Sequence, residues 1–254
     1  MNWQNIKSQL ISFLKEETKK IGVEKVVVGI SGGLDSAVVA VLCKEAFGDN
    51  LHGVLMPSQY SSDASVADAK KLCEKFDISY EIVSIAPMVD GYFQTNENAS
   101  ALRIGNFSAR MRMAVLYDIS AKYNAIVVGT SNKSEILLGY GTLYGDTACA
   151  INPIGQIYKS DEFEFAKYLG VIDEIITKKP SADLWAGQSD EEELGYSYKQ
   201  MDDAMKKLVD ERLDKSDLLT QGYDEKLLDM IQYRIKANAF KGKLPTIAQI
   251  NFKG

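Results

Sequence analysis

Apolar positions follow two regimes along the chain. Unbroken β-branched runs at 26–28 and 126–128 lack polar alternation, the pattern of strands covered on both faces of a parallel sheet. Elsewhere the apolar residues recur at helical spacing. Trp3, Ile6, Leu10, Phe13 and Leu14 predict an opening amphipathic helix that Gly22 ends. Residues 37–47 and 64–76 predict two further helices, with LHGVLMP (51–57) and SYEIVSI (79–85) as the second and third strands. The segment 101–123 carries Phe107, Met111, Ala114, Val115 and Ile119 on one helical face, and AIVVGTSNKSE (125–135) supplies a fourth buried strand. Alternation of strand and helix predicts an α/β fold, a parallel twisted sheet with helices on both faces. Lys159 opens another amphipathic helix with Phe163, Ala166 and Leu169 on one face. Two more amphipathic helices, reaching about Asn238, predict a helical C-terminal part.

The first strand runs directly into ISGGLDS (30–36). Gly32 and Gly33 let main-chain N–H groups approach an anion, and the helix that follows turns its partial positive end toward the same place. A tight turn capped by Ser31 is the simpler reading. Asp35 tips the balance, because a carboxylate beside phosphates is repulsive unless a divalent cation lies between them, so the stretch reads as a magnesium-nucleotide site. A Walker loop is excluded for want of a lysine after the glycines, and the dinucleotide fingerprint by spacing. Gly-Thr-Ser at 129–131 repeats the logic at the end of the fourth strand, presenting Thr130, Lys133 and Glu135. Two such strand ends side by side make a site where the strand order reverses. Met56 closes the second strand at the same edge.

Composition narrows the function classes. The 254 residues suit one core, read as a single domain over 1–254, and a net charge of −6 argues against a general nucleic-acid surface. Cys43, Cys73 and Cys149 are too scattered for a disulfide framework or a zinc knuckle. No signal pattern or membrane-spanning run is present, so a reducing cytoplasm is the expected location. His52, the one histidine, begins a strand at the wrong edge for chemistry, and a His-based triad is excluded. The glycine-rich, aromatic stretch at 137–160 reads as an ordered loop over a ligand. Trp185, among polar residues, reads as part of a mobile lid. Arg112 reads as solvated helix surface, whereas Arg110 beside Gly105 and Asn106 is a candidate ligand contact.

S-G-G-L-D-S resembles the pyrophosphate loop of the ATP pyrophosphatases, the PP-loop superfamily. Joined in order by G-N-F-S-A-R-M-R-M, G-T-S-N-K-S-E, G-Y-G-T-L-Y-G-D and P-S-A-D-L-W-A-G-Q-S-D-E, it resembles the ammonia-dependent NAD synthetases over nearly the whole chain. The resemblance implies an adenine-nucleotide-α-hydrolase-like fold and amidation of deamido-NAD with ammonia. In that reaction the nicotinate carboxylate attacks the α-phosphate of ATP, and ammonia displaces AMP from the acyl adenylate. It further implies ATP on Gly29, Ile30, Ser31, Gly32, Gly33, Leu34, Asp35 and Ser36, with Met56, Thr130, Lys159 and Ser181. Mg2+ falls to Asp35 and Glu135, deamido-NAD to Arg110, Phe240 and Lys241, and catalysis to Lys159 and to Asp146 as the group orienting or deprotonating the incoming nitrogen. Leu143, Ala150 and Phe240 depart from the family pattern of Lys, Asp and His on the dinucleotide side. A homodimer with sites at the subunit interface is implied, with the first helix and the Phe107 helix as candidate surfaces. No separate glutaminase domain is expected. The alternatives are another PP-loop adenylating amidotransferase and a non-catalytic nucleotide sensor, against which Asp35, Glu135, Lys159 and Asp146 together argue.

Overall fold

A computed structural model describes residues 1–95, 98–181 and 187–252. Helix α1 (Trp3–Ile21) is capped at its start by the Asn2 side chain and at its end by Gly22, whose φ of 82° is left-handed. The anticipated apolar face is real and is used inside the chain: Leu14 is fully buried, Ile6, Leu10 and Phe13 pack on the core, and Trp3 stacks on Phe165 at 5.2 Å. That consumes the surface expected of α1 in dimerisation.

Strand β1 (Lys25–Gly29) leads to α2 (Leu34–Phe47), β2 (Leu51–Leu55), α3 (Asp63–Lys75) and β3 (Tyr80–Ile82). Then come α4 (Ala86–Phe93), α5 (Ala101–Tyr123) and β4 (Ala125–Val127). The strands are parallel in the order β3-β2-β1-β4, so the order reverses between β1 and β4, and an isolated parallel bridge joins Val128 to Ile151 beyond β4. Val26, Val27 and Val28 are fully buried, as expected of a strand covered on both faces. Nine residues of α2, from Leu34 to Cys43 with Asp35 left out, are buried, which makes it the central helix of one layer. It starts three residues before the predicted boundary, so Asp35 and Ser36 stand in its first turn, because Gly33 in extended conformation serves as its N-cap.

Helix α5 has the predicted ends, but Ala114 is exposed, and the buried stripe runs through Gly105, Ser108, Ala109, Val115 and Ile119. Small residues rather than large ones let this helix approach the sheet closely. After β4 come α6 (Lys133–Leu138), α7 (Lys159–Leu169) and α8 (Asp173–Ile176). The C-terminal part is more segmented than expected: α9 (Asp190–Leu194), α10 (Tyr198–Met205) widening into a π-type turn at Lys206–Asp210, α11 (Lys215–Thr220) and α12 (Glu225–Asn238). Left-handed residues at Gly195, Arg212 and Gly222 break the apolar periodicity. These helices bury a cluster of their own, with Tyr198, Met201, Leu228 and Ile231, against Leu138 of α6. Asp202, fully buried, joins this cluster to the sheet layer: it accepts from Ser134 Oγ at 2.6 Å and from Ser160 N at 2.7 Å, the first turns of α6 and α7.

Candidate active site

The loop after β1 and the start of α2 form one wall of a cavity of about 860 Å³ at the carboxyl ends of the strands. Gly32 has φ +80°, and a Cβ there would lie 2.0 Å from the Ser65 carbonyl oxygen, so both the loop's turn and its seat on α3 require glycine. The Ser36 hydroxyl donates to the Gly33 carbonyl at 3.0 Å and accepts from Ser31 N at 3.2 Å, which closes the loop over the helix start. Gly29, Ile30, Ser31, Gly32, Gly33, Leu34 and Ser36 all line the cavity. Met56 lines it too, its methyl group lying over Gly29.

Asp35 stands behind this wall and binds the Lys159 ammonium, while Asn132 Nδ2 donates to its other oxygen at 2.7 Å. Asn132 also caps α6 and exchanges hydrogen bonds with Glu135 in a capping box, so the end of β4 fixes both the Asp35 partner and the Glu135 carboxylate. Lys159 is 3 % exposed, held by its place at the start of α7 and by the Lys159 N to Ser134 Oγ bond of 2.9 Å. Burial alone would lower its pKa; the Asp35 and Glu162 carboxylates outweigh it and hold the ammonium above its ordinary range. Asp35 is the mirror case, with burial overcome by Lys159 so that its carboxyl lies below the usual range. Glu135 is raised well above it, by burial first and then by the Asp35 charge.

Asp146 faces the cavity from the glycine-rich loop and accepts from Thr142 N at 2.6 Å. Its side chain is exposed to the cavity, where loss of surrounding water raises its carboxyl and the Thr142 N–H and nearby Lys241 act in the opposite sense. Lys241 donates to the Gly139 and Gly141 carbonyls at 2.7 and 3.0 Å. Thr130 and Ser181 line the same space. The structure therefore brings the β1 loop, Met56, Thr130, Glu135, Asp146, Lys159, Ser181 and Lys241 to one cavity. Arg110 and Phe240 are not among its lining residues: Arg110 donates to the Leu143 carbonyl at 3.2 Å, and Phe240 is exposed. Ala150 bonds through its backbone N to Val127 O. Of the lid read over 178–198, Trp185 and the rest of 182–186 lie outside the described residues. Lys133 turns away, pairing with Asp210 at 2.7 Å over the Tyr158 ring.

One arginine departs from the role expected of it. Arg112, expected at the solvated surface, is partly buried, lines the cavity and donates to Met56 O at 3.1 Å and to Ser61 Oγ at 3.3 Å. Glu162 went unread as well. It is fully buried 3.7 Å from Lys159, and neither carboxylate oxygen finds a hydrogen-bond donor among the described residues. Its signal was the i, i+3 spacing from Lys159, on the same side of α7 as buried Phe165 and Leu169. His52 pairs with Glu81 at 2.9 Å and packs on Tyr123, at the opposite end of the strands, as its position implied.

With this geometry in hand, comparison with known proteins gives a consistent result. The NAD synthase family model matches residues 6–245. The chain belongs to the NAD synthase family. Among its relatives, the NH3-dependent NAD+ synthetase of Wolinella succinogenes is 55 % identical over 243 residues, covering 96 % of this chain and 95 % of that protein. The enzyme of the same name from Helicobacter pylori is 51 % identical over 253 residues, covering 98 % and 97 %. Among solved structures, the NH3-dependent NAD synthetase of Campylobacter jejuni, in complex with nitrate, superposes with a TM-score of 0.84 at 41 % identity, covering 98 % of this chain and all of that one. NMN synthetase from Francisella tularensis gives 0.87 at 31 % identity with the same coverage. This NAD synthase family chain thus carries the family's fold over almost its full length, an α/β sheet with C-terminal helices.

Proposed function

We propose that this chain is a ligase that amidates deamido-NAD to NAD+ with ammonia, coupled to cleavage of ATP into AMP and pyrophosphate, and that residues 1–254 form one synthetase domain. The observation that carries the reading is the meeting of the glycine loop with Asp35, Lys159 and Glu135 across one cavity from Asp146, in a chain half identical to named NH3-dependent NAD+ synthetases. A carboxylate becomes an electrophile only when one oxygen is turned into a good leaving group, and the pyrophosphate leaving ATP concentrates negative charge that must be stabilised as it forms. The loop N–H groups from Gly29 onward, the start of α2 and the Lys159 ammonium supply that stabilisation, with Ser31, Ser36, Thr130 and Ser181 as further polyphosphate contacts and Met56 toward the base. Arg110, Phe240 and Lys241 serve deamido-NAD.

The donor set fits magnesium. Asp35 and Glu135 are hard oxygen ligands, and a raised Glu135 beside a second carboxylate is what a cation between them would relieve. Among the described residues no three His, Cys, Asp or Glu side chains converge, so the protein offers an incomplete shell of the kind magnesium fills with phosphate and water. When bound, the ion neutralises developing phosphate charge. Asp146 takes the proton of the incoming ammonium, which has no lone pair to attack with until it loses one. Its raised carboxyl makes it a better base than an ordinary aspartate.

A cytoplasmic homodimer completes the reading. It is supported by the lack, among the described residues, of any helix long and apolar enough to cross a membrane, and by apolar side chains left exposed on α4 and α5. The likeness to an NMN synthetase favours a second reading to be tested, in which the substrate is nicotinate mononucleotide, the same carboxylate on a smaller nucleotide. Purified protein with ATP and magnesium is to be incubated with deamido-NAD or nicotinate mononucleotide, and with ammonium or glutamine. NAD+ and AMP from deamido-NAD with ammonium are expected. Amidation of the mononucleotide alone would move the assignment to that substrate, and no amide from either would overturn it.

A further inference from the structure

We propose that Lys178 is a further binding residue for the polyphosphate end of the nucleotide, the triphosphate before adenylation and the pyrophosphate after it; this rests on the adenylating reading above. Lys178 lies two residues past α8, distant in sequence from the glycine loop, and lines the cavity beside it. Its ammonium donates to Ser65 Oγ at 2.9 Å, to Asp68 Oδ2 at 3.1 Å and, at 3.5 Å, to the carbonyl of Gly32 itself. The Gly32 contact decides the placement. Successive Cα atoms are about 3.8 Å apart, so an anion gripped by the loop's N–H groups lies within one side-chain swing of an ammonium resting on that loop's carbonyl.

Charge supplies the second argument. Lys159, the cation expected at the phosphates, is already compensated by Asp35 and crowded by Glu162 and Glu135. A triphosphate entering beside these carboxylates needs positive charge that they have not claimed. Among the described residues Lys178 faces one carboxylate, Asp68, and its side chain keeps 31 % exposure. Ser65, its hydroxyl partner, stands in the first turn of the 13-residue α3, whose N-cap Ser62 accepts from Ser65 N at 3.0 Å. That helix start is aimed at the same corner and adds its partial positive charge. Asp68 holds the ammonium at the rim, and phosphate oxygens compete for it there with charge-assisted bonds of the same strength.

Two substitutions separate binding from mere bracing, because they act in opposite directions on a ligand and in the same direction on a clasp. Binding of magnesium pyrophosphate is measured by calorimetry, and KM by turnover. Lys178→Ala weakens pyrophosphate binding about 10-fold and raises KM for ATP by a similar factor, leaving KM for deamido-NAD unchanged, while Lys178→Arg retains most of the affinity. Asp68→Asn releases the ammonium from its carboxylate and tightens pyrophosphate binding, and an unchanged affinity there counts against the site. Equal weakening in Lys178→Ala and Asp68→Asn, or equal rises in both KM values, overturns the assignment and leaves a structural clasp. Should Lys178→Ala fail to fold, Asp68→Asn and Lys178→Arg decide the matter alone. A wild-type protein that forms no NAD+ yet loses pyrophosphate affinity on Lys178→Ala refutes the proposed reaction and sustains this site.

Discussion

Asp146 and Glu162 are both carboxyls raised above their ordinary range, and the reasons for their positions differ. Asp146 looks into open cavity with a backbone N–H at 2.6 Å to hold it, the setting of a group that exchanges protons with a ligand. Asp146→Asn keeps the shape and removes the base. It is expected to lower ammonia-dependent turnover about 100-fold or more and to abolish the acid limb of the pH–rate profile, which in the wild type rises as the carboxyl deprotonates. Normal turnover with an unchanged profile would sink the assignment. Glu162 has no such outlet: burial and the Asp35 charge raise its carboxyl above the ordinary 4.5. A raised carboxyl favours the fold below the unfolded pKa, and that favour is lost as pH climbs through the folded value. Glu162→Gln escapes this loss. Measured with chelator present, its melting temperature relative to wild type should grow as pH rises from about 4.5, and a pH-independent difference would contradict the burial argument.

Among the elements, α6, α7 and α10 decide whether the site is assembled at all. Glu135 and Lys159 sit in the first turns of α6 and α7, and the single carboxylate of Asp202 ties both turns together from α10. Asp202→Ala removes the acceptor of the buried Ser134 hydroxyl and of the partly buried Ser160 N–H, at a cost of about 2 kcal/mol. Urea unfolding with an unchanged m-value is the measurement, and a loss under about 1 kcal/mol would show the tie to be dispensable. The boundaries of α2 carry a related lesson. Apolar periodicity starts the helix at Ala37, but helical geometry starts it at Leu34, because Gly33 caps through backbone conformation and leaves no side-chain signature. Asp35, in that first turn, thereby meets the Lys159 ammonium.

At the scale of the whole molecule, α4 and α5 keep an apolar surface that the core does not cover. Met88, Tyr92 and Leu102, each more than 40 % exposed, flank the stacked Tyr92–Phe107 pair on α4 and α5, whereas the apolar face of α1 is spent on Phe165 and α2. Dimerisation through α4 and α5 is the expected outcome. Light scattering should give twice the 28.1 kDa of one chain, and Leu102→Glu should halve it; a fully active monomer would refute the arrangement.

Reading the chain alone determined the parallel sheet, the loop after β1 and the loop after β4, because each leaves a local mark, whereas Asp146, Ser181 and Lys241 are named by resemblance to the family. Buried strands need β-branched runs, tight turns need glycine, and helix starts need Asn, Ser or Gly. Arg112 and Lys178 left no such mark, and Glu162 only its spacing from Lys159. Their neighbours lie far off in sequence, Asp35 for Glu162, Met56 for Arg112 and Gly32 for Lys178, and a charged residue on a helix reads as solvated until another element is packed over it. Which carboxylate Lys159 neutralises, and which pKa values rise or fall, depends on burial and on charges brought together across the sheet. Those are properties of distance in space, and only the tertiary structure sets them.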